Sequence, residues 1–181
     1  MATASDKSKR PAVFLDRDGT IMRDVDYCGD PKYVSVFESA APALGRLRGA
    51  GYKIIIITNQ SGIGRGYFTE KDYRAVEREV EQQIGAGVID ATYWCPDRPD
   101  SGSIRRKPEP GMILEAARDH QIDLDRSFMI GDKRIDAECG RRAGVRTILV
   151  QSGQEQHAGG AADWTVPDLS EATEIILRHG V

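Results

Sequence analysis

Cysteine is scarce in this 181-residue chain: Cys28, Cys95 and Cys139 are widely spaced and odd in number. That excludes a disulfide framework and suits reduced thiols in a cytosol, so a cytoplasmic location is expected. Histidine is equally thin. His120, His157 and His179 are scattered, and no pair has the spacing of a metal-binding motif. Apolar runs such as Ile54–Ile57 are far too short to cross a bilayer, so no membrane partner is expected. The first ten residues are polar and hold no apolar segment of the kind a secretory signal carries. Excess positive charge is missing too. The net charge of −3 argues against a strongly basic face, and no nucleic-acid partner is expected.

What remains is an ordinary globular composition, 40% hydrophobic and 29% charged, on a chain long enough to bury a full core. Residues 1–10 are expected to form a flexible tail and 11–181 a single domain. Short, β-branched apolar runs alternate with amphipathic stretches, the pattern of an α/β fold: a doubly wound, mostly parallel sheet flanked by helices. Strands are predicted over Ala12–Asp16, Tyr52–Thr58, Ala91–Cys95, Ser127–Gly131, Arg146–Val150 and Asp163–Val166. Helices are predicted over Ser39–Ala50, Thr69–Gly85, Pro110–His120, Ile135–Ala143 and Leu169–His179. Thr69 with Asp72 three residues on is close to a capping box, and Gly51 and Gly144 suit helix C-termini. The Gly/Ala patch at Ala158–Ala162 reads as loop. No gap between these elements is large enough for an inserted cap domain. The site should therefore be open, screened only by loops such as Met22–Phe37 and Pro96–Arg105.

In such sheets ligands sit outside the carboxyl ends of the strands. After the first strand come Asp16 and Asp18, then Gly19 and Thr20. Such a carboxylate pair can bind Mg²⁺ and divide labour, one acid attacking phosphorus and the other moving a proton; a bare D-x-D is also what a solvated loop contains. After the second strand come Thr58, Asn59, Gln60, Ser61 and Gly62, hydroxyls and amides suited to phosphate oxygens or simply to a polar turn. After the fourth come Gly131, Asp132 and Lys133, then Asp136; a carboxylate there would complete a hard-metal site with Asp16. Arg105, Arg106 and Lys107 stand before a proline-stiffened helix start, where cations can neutralise a phosphate.

Taken in order, these four pieces resemble the haloacid-dehalogenase (HAD) superfamily of phosphatases: DxDGT at 16–20, the Thr58 motif, the lysine at 107 and GDK-x-x-D at 131–136. The longer wordings FLDRDGTI, TNQSGIGRG, RKPEPGM and MIGDK are similar to those of the D-glycero-D-manno-heptose 1,7-bisphosphate phosphatases, with histidinol-phosphate phosphatases as close relatives. The resemblance implies an HAD-like domain without a cap, and an aspartyl-phosphate formed on Asp16. It implies that Asp18 protonates the leaving oxygen and then activates water. Thr58 and Asn59 would hold phosphoryl oxygens, and Lys107 would neutralise them. Mg²⁺ would rest on Asp16, Asp132 and the backbone carbonyl of Asp18. Gln60, Ser61, Arg105, Arg106 and Lys133 would meet the substrate, a small sugar phosphate. Asp136 would either reach the metal shell or orient Lys133. A monomer is expected.

One departure stands out. Many heptose-bisphosphatases carry a zinc loop of a C-x-H pair and a C-x-C pair, but here Cys95-Pro96-Asp97 and Ile104-Arg105 occupy that stretch. One thiolate cannot build a tetrahedral sulfur-rich centre, so zinc is not expected and Cys95 reads as a buried strand-end residue. Tyr27 and Cys28, in the loop after the first motif, lie where a substrate could touch them. A signalling receiver shares the sheet, the acids and a Thr/Lys pair. It takes its phosphorylated aspartate from a mid-chain strand, however, and this chain offers its aspartates on the first.

Overall fold

The computed structural model of the protein describes residues 9–153 and 160–180. Six parallel strands run β1 (Ala12–Leu15), β2 (Lys53–Asn59), β3 (Ala91–Cys95), β4 (Phe128–Gly131), β5 (Arg146–Val150) and β6 (Trp164–Val166). Their order across the sheet is β3-β2-β1-β4-β5-β6. The chain thus starts in the middle, winds outward through β2 and β3, and returns to the other side of β1. The helices are α1 (Ala40–Gly49), α2 (Ser61–Gly64), α3 (Glu70–Ile84), α4 (Gly111–Asp119), α5 (Arg134–Ala143) and α6 (Leu169–His179). Every strand and helix predicted from the sequence is present within a residue or two. The four-residue α2 and two 3₁₀ turns, Pro31–Tyr33 and Leu124–Arg126, were not anticipated. They are too short to show a hydrophobic period.

Alternation along the central strands builds both cores. Val13 and Leu15 on β1, with Ile54 and Ile56 on β2, face one layer, where Leu44, Leu47, Val76, Val80 and Ile176 of α1, α3 and α6 pack. Ala12, Phe14, Ile55 and Ile57 face the other, against Met112, Ile113, Ala116 and Cys139 of α4 and α5. Burial on both faces explains the unbroken apolar runs. Local chemistry sets the helix ends. Thr69 accepts from the Asp72 amide at 3.2 Å while the Asp72 carboxylate takes the Thr69 N–H at 2.8 Å, closing the capping box. Gly144, at φ +82°, ends α5 in the left-handed region that glycine tolerates.

Arg10, which the sequence placed in the tail, bridges to Ile122 and its carbonyl accepts from Asp123 N at 2.9 Å, so backbone pairing ties it to the segment that leads toward β4. Residues 1–8 of that expectation, and Ala158–Gly159 of the expected loop, lie outside the described residues. No helix among the described residues is long and apolar enough to cross a membrane.

Candidate active site

The site lies where β1, β2 and β4 end side by side. Asp16 N donates to Ile130 O of β4 at 2.9 Å, which keeps Asp16 in line with the sheet before the chain turns. The turn closes through Ile21 N and Met22 N onto Arg17 O, at 2.9 and 3.2 Å. Gly19 is required twice over: its φ is +86°, and a Cβ there would sit 2.3 Å from Asp132 Oδ2.

Lys107 ties the pieces together. Its buried ammonium spends all three hydrogens inside the protein, on Asp16 Oδ1 (2.6 Å), Asp136 Oδ1 (2.6 Å) and Ile57 O (2.9 Å). Asn59 holds the lysine's backbone from both sides, donating to Lys107 O at 3.1 Å and accepting from Lys107 N at 3.0 Å. Asp136 uses its second oxygen to accept from Lys133 N at 3.0 Å, capping the first turn of α5. Sequence reasoning left Asp136 between two roles. The structure shows a bond to the Lys133 backbone and an ion pair with Lys107 that no spacing rule announces, since the partners are 29 positions apart, and it also sets Asp136 beside Asp16 and Asp132.

Carboxylate oxygens of Asp16, Asp132 and Asp136, all buried, lie within 4.8 Å of one another. The crowding has electrostatic consequences. Burial pushes Asp16 above its usual range, Lys107 opposes this, and Asp136 adds to it. Asp132 is pushed up to about 8, by burial first and then by Asp16 and Asp136. Burial alone would depress the Lys107 ammonium, but Asp136 and Asp16 outweigh it and hold the pKa above the ordinary value. The same contest raises Lys133, with Asp132, Asp16 and Asp24 prevailing over burial. Three converging hard oxygen donors with one ammonium among them leave an excess of negative charge. That donor set suits an oxygen-loving divalent cation.

Beside this cluster, Asp18 accepts from the Arg17 guanidinium and from Gln60 Nε2 at 3.0 Å. The same Gln60 nitrogen donates to Thr58 Oγ1 at 2.8 Å, and Thr58 is fully buried. A cavity of about 220 Å³ opens in front. Asp16, Asp18, Asn59, Gln60, Ser61, Lys107 and Lys133 line it, joined by Ile135, Asp136 and the loop Asp24–Cys28. Tyr27 and Cys28 therefore do reach the pocket, and Asp24 positions Lys133 through a 3.1 Å bond. A second groove with Tyr27, Tyr33 and Tyr67 on its walls continues from this loop.

Two predicted substrate contacts lie elsewhere. Arg105 does not line the pocket; its Nε donates to Glu115 of α4 at 2.9 Å, the carboxylate that the helix presents to it. Arg106 donates to Asp97 O at 2.8 Å and borders a neighbouring cavity that shares Lys107 and Ile135 with the site. The Pro96–Arg105 loop accordingly walls that neighbour through Pro99 and Gly102–Ile104. Cys95 closes β3 as a fully buried thiol, 3.4 Å from Asp97 Oδ2 and 3.7 Å from Ser103 Oγ.

The geometry has counterparts among known proteins. Residues 104–172 match the HAD-hydrolase-like family model. The D-glycero-D-manno-heptose-1,7-bisphosphate 7-phosphatase of Thermosynechococcus vestitus is 38% identical over 94% of this chain and 97% of its own. A D-glycero-β-D-manno-heptose-1,7-bisphosphate 7-phosphatase of Yersinia pestis is 36% identical over 92% of this chain and 95% of its own. Among solved structures, the D,D-heptose 1,7-bisphosphate phosphatase of B. bronchiseptica, complexed with magnesium and phosphate, superposes with a TM-score of 0.83. It is 30% identical, and the match covers 93% of this chain and 98% of that one. Sheet order, the Asp16–Lys107 pair and full-length similarity agree: the chain belongs to the HAD-like hydrolases, in the family of the heptose-1,7-bisphosphate 7-phosphatases, and is a phosphatase.

Proposed function

We propose that this phosphatase removes the 7-phosphate of D-glycero-D-manno-heptose 1,7-bisphosphate through an aspartyl-phosphate on Asp16. The observation that carries the reading is Asp16 itself, buried at the end of the central strand, fixed by Lys107 and open to a polar pocket. An Asp16 carboxylate oxygen attacks phosphorus, the bond from phosphorus to the sugar oxygen breaks, and that oxygen takes a proton from Asp18. Water then attacks the acyl phosphate and passes its proton to Asp18, freeing inorganic phosphate and Asp16. Lys107 neutralises the transferring group and steadies the nucleophile.

The partners of the polar residues suggest a reading of their roles beside the expected phosphate contacts. Asn59 is engaged on both sides by the Lys107 backbone, so it positions the lysine. Gln60 holds Asp18 and the Thr58 hydroxyl. Ser61 and Lys133 also line the pocket and would meet the substrate. Asp16, Asp132 and the backbone carbonyl of Asp18 would hold Mg²⁺, which when bound supplies positive charge that shields incoming phosphate from the carboxylates. With Arg105 turned to Glu115, the bisphosphate preference rests on the family and on Lys133 and Arg106, at and beside the pocket. Three free, buried thiols support a reducing, cytoplasmic setting, and we read the protein as a monomer.

The test is phosphate release with Mg²⁺ from heptose 1,7-bisphosphate, its two monophosphates, other sugar bisphosphates and histidinol phosphate. The heptose bisphosphate should give the highest kcat/KM and yield the 1-monophosphate. Equal or better efficiency with histidinol phosphate would overturn the substrate assignment while leaving the phosphatase chemistry intact.

A further inference from the structure

Arg17 is among the largest fully buried side chains of the described residues, yet it carries a full charge and sits between the two motif aspartates. Burying a guanidinium is costly unless its partners repay the lost hydration. Its carboxylate partner is Asp18. Nε lies 3.2–3.3 Å from both Asp18 oxygens, and NH2 lies 3.0–3.1 Å from both. Behind it the guanidinium carbon stands 5.6 Å from the Tyr73 ring, which itself packs on Trp94 at 4.9 Å. NH1 is buried and has no hydrogen-bond partner among the described residues. A charge buried this deeply, with one donor unused, is poorly explained as a contribution to stability. Gln60 Nε2 meets Asp18 Oδ2 as well, braced by Thr58.

We propose that Arg17 is a positioning residue for Asp18: with Gln60 it fixes the carboxyl group in the orientation needed for proton transfer. The inference rests on Asp18 being the proton donor to the leaving oxygen. As the proton leaves, negative charge develops on Asp18, and a rigid fork already aimed at that carboxylate stabilises it without rearrangement. The Tyr73 ring, itself packed on Trp94, backs the guanidinium, so its place is inherited from the core.

Proton donation matters most when the leaving group is a poor one. A sugar alkoxide needs the proton; a nitrophenolate does not. kcat/KM covers events through the first phosphoryl transfer, so the ratio of kcat/KM for a sugar phosphate to that for p-nitrophenyl phosphate isolates the proton given to the leaving group. The ratio is also independent of how much enzyme is folded, because misfolded protein lowers both numbers equally. We expect Arg17→Met, which keeps much of the volume, to lower the ratio roughly 10–100-fold, the scale on which misplacing a catalytic group acts. Arg17→Lys, which keeps charge but loses the fork, should fall between, and Gln60→Met should lower the ratio less than Arg17→Met. Asp18→Asn is the control. If Asp18→Asn collapses the ratio and Arg17→Met leaves it at the parent value, Arg17 is structural and the proposal is overturned. If Asp18→Asn itself leaves the ratio unchanged, the proton-donor reading fails and the proposal falls with it.

Discussion

Replacing Lys107 by methionine keeps most of the unbranched side chain and removes its three hydrogen-bond donors, leaving Asp16 and Asp136 facing each other without their cation. Two of the lost bonds are charge-assisted, at 2.6 Å each, and such bonds contribute about 1.5–3 kcal/mol apiece. Asp16 can partly recover by holding a proton, which limits the loss to the roughly 3–5 kcal/mol typical of breaking a buried pair from one side. At about 2–4 °C per kcal/mol for a chain of this size, Tm should drop by roughly 6–20 °C at pH 8. The drop should be smaller at pH 5, where Asp16, already raised above its usual range by burial, more readily holds a proton. Differential scanning calorimetry of the metal-free protein at both values reads this directly, and phosphatase activity should be lost in parallel. A Tm at pH 8 within about 2 °C of the parent would show that the ammonium is not what holds the acids together.

Asp16→Asn should abolish phosphate release while leaving the circular dichroism spectrum unchanged; measurable turnover by the purified variant would remove Asp16 from the nucleophile's role. EDTA should abolish activity and Mg²⁺ restore it, and full activity after exhaustive chelation would sink the metal-assisted reading. Asp132 offers a pH test: the folded protein keeps its proton up to about 8, whereas the unfolded chain releases it near 3.8. Between these values the folded state binds more protons, so metal-free stability should decline as pH rises, and saturating Mg²⁺ should flatten that slope; a metal-free Tm that climbs from pH 5 to 8 would contradict it. Cys95→Ser should retain most activity and elemental analysis should find no stoichiometric zinc, whereas about one zinc per chain, lost with activity in that variant, would reverse the prediction.

The fold was legible because the strands are short and set off by punctuation, and because the central ones, such as Ala12–Leu15 and Ile54–Ile57, are apolar on both faces. The end of each strand was legible as well, since topology alone delivers Asp16, Thr58 and Asp132 to one edge. What the residues did beyond that edge was not. Arg105 reads as a phosphate contact because it stands beside Arg106 and Lys107, but neighbours along an irregular loop point in unrelated directions, and Glu115 captured it. Asn59 and Gln60 read as phosphate donors because amides suit phosphate; which of them serves the backbone of Lys107 and which serves Asp18 depends on contacts across 48 and 42 positions. Arg17 was hidden by its setting. A lone arginine between two acids looks like a solvated charge, and only the rings of Tyr73 and Trp94, far along the chain, reveal it as buried.

The same distances explain why so costly an arrangement survives. Lys107 reaches Asp16 across 91 positions and Asp136 across 29, so no local helix or turn assembles the cluster. It forms only when β1 is seated between β2 and β4, with Leu15 opposite both Ile56 and Ile130. Apolar packing of the two core layers therefore pays for bringing like charges together, and Lys107 cancels only part of their repulsion. Burial first, and then the remaining repulsion from Asp16 and Asp136, raises Asp132, and the unbalanced carboxylates favour a cation at the cluster. The instability of the cluster in the metal-free protein and its attraction for ligands thus have one electrostatic origin. A change that relieves the first, such as neutralising Asp132, should weaken the second.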